Sequence, residues 1–233
     1  MPLAMSDKPL AQENQSKSNE VSFFVHLISN GQLGYQKTLE FRPMKIRDFE
    51  ILASSNNEGP EYYKKLINVV QNCCLTQGVR IDRLSIQDFN EVLIALRVNS
   101  TGKNTYELTV KCPECRKGFD HTVYLSMLPV KEIDPIFVEP FKTDSELDVR
   151  MPRCSIYTND RYHKSESSLL LAMIESALGR SIGNDTISVI SEVKNILDTY
   201  DYGIDLTIKI KCPHCEKEVG EFSIPFRWQF FIT

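Results

Sequence analysis

Tyr106-Glu107-Leu108-Thr109-Val110-Lys111-Cys112-Pro113-Glu114-Cys115 and, one hundred residues later, Leu206-Thr207-Ile208-Lys209-Ile210-Lys211-Cys212-Pro213-His214-Cys215 decide how this chain is read. In each stretch apolar and polar residues alternate over one strand length and then run into Cys-Pro-x-Cys. Polar, lysine-bearing turn residues and a second apolar run follow. Alternation with period two marks a half-buried strand. A CPxC turn between two such strands is the layout of a zinc knuckle. Two residues between cysteines let both sulfurs reach one ion at about 2.3 Å while turn amides donate to them. Two knuckles supply the four thiolates of a closed tetrahedral site. The sequence therefore predicts one structural zinc held by Cys112, Cys115, Cys212 and Cys215, tying the middle of the chain to its end. Lys111, Lys117, Lys211 and Lys217 would offset its negative charge.

Cys-Pro-His-Cys is also the active-site sequence of oxidising thioredoxin-like proteins, so a redox role for Cys212 and Cys215 has to be weighed. Such a motif needs a helix N-terminus to lower the thiol pKa. Glu216-Lys217-Glu218-Val219-Gly220-Glu221-Phe222 reads instead as a turn and a strand, and the first motif repeats the arrangement. Metal binding explains that duplication and redox chemistry does not. Cys73 and Cys74 lie on an apolar helix, where free cysteine behaves as a small hydrophobe, and Cys154 has no partner in sequence. His26, His121, His163 and His214 are scattered, and His214 reads as a solvated turn residue. No Gly-rich phosphate loop, Gly-x-Ser-x-Gly elbow or His-Glu-x-x-His helix is present. An enzyme is therefore disfavoured.

The 233 residues carry 42% hydrophobic and 25% charged side chains, the profile of a globular protein of one large or two small domains. A net charge of -4 argues against a general nucleic-acid binder. No apolar run approaches the roughly 20 residues that span a bilayer. The first residues show no basic stretch leading into an apolar one, so no secretion signal is expected. Seven cysteines dominated by two CxxC pairs fit a reducing compartment better than a disulfide framework.

Outward from the knuckles, the pattern predicts an α+β fold of helical segments and short antiparallel hairpins around a zinc-ribbon-like element. Residues 1–19 are polar and read as a disordered tail. Residues 20–104 form an N-terminal hairpin plus helices, with strands over 21–28 and 35–41. Helices are expected over 45–54, with Ile46, Phe49, Ile51 and Leu52 as the apolar face, and over 60–75, with Tyr63, Leu66, Ile67, Val70 and Cys74 inward. A third starts at the N-cap Ser85, with Asp88 completing a capping box and Phe89, Val92, Leu93 and Leu96 buried. Residues 105–233 hold the ribbon-like element, 105–126 and 204–225, interrupted by a helical insertion. The insertion contains short strands and loops over 129–160, then helices over 165–178 and 186–200, with Gly203 read as a C-terminal stop. Superposing Cys112 on Cys212 places Val110 on Ile210, Leu108 on Ile208 and Phe119 on Val219, a weak internal repeat. The closing aromatics Phe226, Trp228, Phe230 and Phe231 either join the core or form an exposed docking patch, the core being favoured.

The order of these features resembles the baseplate hub assembly family of T-even-type contractile-tailed bacteriophages. The resemblance rests on Phe41-Arg42-Pro43-Met44-Lys45-Ile46-Arg47-Asp48-Phe49-Glu50, then on the helix carrying Cys73-Cys74 and the run from Leu84 to Ser100. It continues through the first CPxC into Leu125-Ser126-Met127-Leu128-Pro129-Val130-Lys131, and ends on the second CPxC with its aromatic finish. It implies a non-enzymatic protein, an assembly chaperone or minor hub component. Such a protein would act in the host cytoplasm during assembly or in the virion baseplate, and would bind other tail and hub proteins, not membranes. The polar tail and aromatic end would then be contact points. The alternative is a zinc-ribbon nucleic-acid-binding or transcription accessory protein, since Lys111, Lys117, Lys209 and Lys211 cluster near the knuckles. Glu114, Glu216, Glu218 and Glu221 interleave there and weaken that reading.

Overall fold

Alternating side chains at the start of the described chain close an antiparallel hairpin, β1 (Phe23–His26) and β2 (Thr38–Phe41), with Val25 opposite Leu39 and Phe23 opposite Phe41. The computed structural model describes residues 21–54 and 59–232, so the expected tail lies outside the described residues. Val25, Leu39 and Phe41 are buried while Phe24 faces solvent, as period two requires.

Helix α1 (Ile46–Ala53) follows, and its inward stripe is Asp48 and Leu52 with Phe49 alongside. This corrects the expected apolar face, because Ile46 is 77% and Ile51 41% exposed. The polar Asp48 takes the inward position because Arg42 is buried beside it at 2.7 Å. Helix α2 (Pro60–Cys73) starts on Pro60, whose missing N–H costs nothing at a first turn. It buries Tyr62, Leu66, Val69, Val70 and Cys73 at helical spacing. It ends two residues earlier than its pattern suggests. Cys74 turns extended and bridges Phe41, and the Leu75 amide donates to the Glu40 carbonyl at 2.7 Å, so the sheet edge claims those residues.

Helix α3 (Ile86–Thr101) is the centre of the larger core. Ser85 caps it, its hydroxyl accepting the Asp88 amide at 3.1 Å, and Gly102 at φ 70° ends it in the left-handed conformation that favours glycine. Phe89, Val92, Leu93 and Leu96 are fully buried. The capping region also binds the rest of the molecule. The Asp88 carboxylate accepts the Ser29 amide at 3.0 Å and the Tyr35 hydroxyl at 2.5 Å, and Ser85 Oγ lies 2.5 Å from the Tyr202 hydroxyl.

The first knuckle hairpin is β3 (Thr105–Lys111) with β4 (Gly118–Tyr124), paired from Thr105↔Tyr124 to Lys111↔Gly118. Then come three two-residue strands, β5 (Val130–Lys131), β6 (Phe141–Lys142) and β7 (Asp148–Val149), of which β6 and β7 pair with each other. Helices α4 (Glu166–Leu178) and α5 (Ile187–Thr199) follow. They pack Ile174, Ala177, Val193 and Leu197 with Phe137, Val149 and Tyr202 into a second hydrophobic cluster.

The chain returns through β8 (Gly203–Ile204), which pairs with β5, and forms the second hairpin, β9 (Thr207–Lys211) and β10 (Glu218–Ser223). Gly203 is not the helix stop, since Tyr200 is the C-cap of α5. It is needed for close approach: its φ is +112°, and a Cβ there would meet Gln87 Cγ at 2.6 Å.

The final aromatics settle on the core, as favoured. Phe230 and Phe231 are fully buried, Phe226 is 8% exposed and Tyr62 donates to the Phe226 carbonyl at 2.8 Å. Phe226, Phe230 and Phe231 therefore form no exposed patch, because the main core absorbs them, while Trp228 packs half-buried against it. The fold is α+β, and among the described residues its strands form five two-stranded antiparallel sheets.

Candidate metal centre

The two CPxC turns adopt the same backbone. Cys112 N–H donates to the Lys117 carbonyl at 3.0 Å and Arg116 N–H to the Cys112 carbonyl at 3.0 Å; the matching bonds from Cys212 and Glu216 are 2.9 and 2.8 Å. Arg116 and Glu216 both sit at positive φ, 60° and 58°. A non-glycine residue in that region is strained and persists where its surroundings over-determine it. The same strain at the same step after the second cysteine of each turn shows that both turns are built to one geometry. Burial also agrees position by position between 111–120 and 211–220. The repeat loosens at the return strands. Val110 pairs with Phe119, whereas Ile210 pairs with Gly220, so Val219 lies in a β-bulge.

The hairpins are brought side by side from below. Val130 pairs with Ile204 between the end of the first hairpin and the start of the second, and Leu108, Leu206 and Ile208 pack against the main core. The turns then face each other. Cys112 Sγ lies 3.7 Å from Cys215 Sγ, and Cys115 Sγ 3.6 Å from Cys212 Sγ. All four sulfurs lie within 4.8 Å of one another. A disulfide needs sulfurs at about 2.05 Å, so these are four separate thiols. Tetrahedral ligands at about 2.3 Å stand roughly 3.8 Å apart, close to the spacings observed. The donor set is all sulfur, with Cys112 and Cys212 each 1% exposed and Cys115 and Cys215 half-buried. The arrangement is compatible with a metal ion.

Electrostatics within the cluster are asymmetric. Burial alone would raise the Cys212 thiol, but the His214 and Cys215 amides and the neighbouring thiols outweigh it and bring it down to about 7. The His214 amide lies 3.4 Å from its sulfur. The Lys217 backbone favours the Cys215 thiolate, but burial and the three surrounding thiols push this thiol up to about 12.

The remaining sequence candidates do not join this cluster. Burial pushes the Cys73 thiol up to about 12 and raises Cys154 well above its ordinary value, which keeps both inert. His214 is exposed and meets Phe119 edge-on at 6.3 Å, while His26 and His163 contact Thr38 and Tyr63. Among the described residues, no other group of three or more His, Cys, Asp or Glu side chains lies close enough to share an ion. Cys215 is followed by a turn and β10, not by the helix that a thioredoxin-like motif requires. Sequence reasoning missed the left-handed Arg116 and Glu216; the shared Cys-x-Lys spacing after each CP was the signal for them.

Residues 23–231 match the family model described as T4 bacteriophage base plate protein, and the chain belongs to that family. No curated protein and no solved structure matches it.

Proposed function

We propose that this chain is a non-enzymatic baseplate hub assembly protein, an assembly chaperone or minor hub component, in which Cys112, Cys115, Cys212 and Cys215 hold one structural zinc. The observation that carries the proposal is the convergence of four sulfurs, 3.6–3.7 Å apart in cross-pairs, from turns on either side of the helical insertion. Family membership supports a place in the baseplate, and the order of motifs from Phe41 to the aromatic finish favours the hub. Zinc bound by four thiolates supplies a closed cross-link with no open coordination position. The protein's part is to preset the turns through the Cys–Lys and Arg116 or Glu216 backbone bonds. The exposed Lys111, Lys117, Lys211 and Lys217 balance the thiolate charge. Fixing both hairpins on one core gives other tail proteins a defined surface.

The test is a tagged pull-down from cells expressing the tail gene set, with retained proteins identified by mass spectrometry and purified particles probed for the chain. Hub and tail-tube components at moderate salt are expected; presence in particles then marks a hub component, and absence marks a chaperone. Retention of nucleic acid or polymerase without tail proteins would overturn the hub role.

A further inference from the structure

Arginines gather at one place in this acidic chain, away from the cysteines. A cavity of about 820 Å³ opens between the β1–β2 loop, the segment before α3, the segment after β7 and the C-terminal end of α4. Arg80, Arg83, Arg150 and Arg153 line it, and no aspartate or glutamate does so among the described residues. Two of these cations are already paired, Arg80 with Asp82 and Arg153 with the buried Glu139. Arg83 and Arg150 are exposed and form no ion pair among the described residues, which leaves the cavity cationic. Arg153 Nη1 is also buried without a hydrogen-bond partner. Guanidinium groups held this way accept planar anions through paired N–H donors.

The rest of the lining narrows the anion. Val79, half-buried, makes part of the wall apolar, while Leu33 and Leu84 also line it but are 3% and 1% exposed. The Tyr35 ring is covered by Arg153, 5.7 Å from its centroid, so it is not free to stack on a base. A nucleic-acid backbone needs a track of cations along its length, whereas these four converge on one recess. Carboxylate side chains beside an aliphatic one match both features.

We propose that this cavity receives an acidic, aliphatic-containing peptide segment of a partner protein. Its carboxylates pair with the exposed Arg83 and Arg150, and its aliphatic side chain rests against the half-buried Val79. The partner class follows from the cavity's chemistry alone, so the metal and hub readings stand or fall separately.

The test is fluorescence anisotropy on the full chain with a fluorescein-labelled glutamate–leucine peptide. A glutamine–leucine peptide, oligothymidylate and inorganic phosphate are compared with it. The double variant R83Q/R150Q alters two exposed cations that form no ion pair among the described residues, and its melting temperature and far-UV circular dichroism check that it folds; K194Q is the surface-charge control. Salt-sensitive binding of the glutamate peptide is expected, weakened roughly tenfold or more in R83Q/R150Q and unchanged in K194Q. No binding, equal binding by R83Q/R150Q, or tighter binding of oligothymidylate or phosphate would overturn the proposal.

Discussion

The Arg97 guanidinium donates to the carbonyl oxygen of Phe230, 133 residues further along the chain. Its other amino group donates to the Thr105 carbonyl at the start of β3. Arg97 is fully buried, and its guanidinium lies 4.9 Å from the Phe230 ring centroid and 5.5 Å from that of Tyr106. One side chain thus joins the central helix, the first knuckle strand and the C-terminal aromatic turn. Arg97→Ala strands two carbonyls, at roughly 1–3 kcal/mol each. Thermal unfolding is expected to fall by about 2–4 °C per kcal/mol lost. Arg97→Lys recovers only part of this, because a single ammonium lacks the fork that reaches both acceptors.

A buried ion pair fixes α1. Arg42 and Asp48 lie 2.7 Å apart with side chains 6% and 3% exposed, and Asp48 also accepts the Lys45 amide at 2.7 Å. Asp48→Asn removes the carboxylate from the buried Arg42 pair, at an expected cost of about 3–5 kcal/mol, measured by urea unfolding at neutral pH. Burial opposes ionisation of Asp48, but Arg42 and the Lys45 amide prevail and hold its pKa below the ordinary 3.8. Its stabilising contribution is therefore present above pH 3.8 and is lost as pH falls through the lowered value. The acid limb of the stability curve should flatten in Asp48→Asn.

Glu91 has the opposite sign. Burial pushes its carboxyl up to about 7 from 4.5, the Asp88 charge adds to this, and the Ile28 amide, 2.8 Å from Oε2, opposes it. Its contribution is fully present below pH 4.5 and is lost as pH rises through about 7. Glu91→Gln keeps the Ile28 acceptor and removes the ionisation. Denaturant midpoints across this range should lose their downward slope, and above pH 7 the variant should exceed the parent by about 1–3 kcal/mol.

Gly203→Ala tests the seam between the insertion and α3. The new methyl would meet Gln87 Cβ at 2.7 Å with the backbone at φ +112°. A loss of about 1–3 kcal/mol is expected from backbone strain alone. Calorimetric unfolding measures it, and an unchanged melting temperature would contradict the tight contact.

Much of this architecture was legible because local signals coincide with global ones. Ser85 caps where its hydroxyl and Asp88 predict, Gly102 stops α3, and each CPxC turn lies between paired antiparallel strands, with alternation interrupted in β10 by its bulge. What escaped depends on partners remote in sequence. Ile46 and Ile51 look like a helix face, but the burial of Arg42 draws Asp48 inward instead. Cys74 fits the period of α2, but the edge of β2 captures it. Arg97 sits on α3 looking like a surface cation and is buried only because Phe230 and Thr105 supply carbonyls. The arginine cavity draws on four separated segments, so no local window contains it.

The most direct measurement is zinc stoichiometry by mass spectrometry of the intact chain and elemental analysis, on the parent, Cys112→Ser and Cys215→Ser, with melting curves alongside. Cross-pairing of Cys112 with Cys215 and of Cys115 with Cys212 requires both turns for one ion. One zinc per parent chain is expected, lost in both variants with similar drops in melting temperature and solubility. Unchanged zinc content and stability in Cys112→Ser would contradict the shared site.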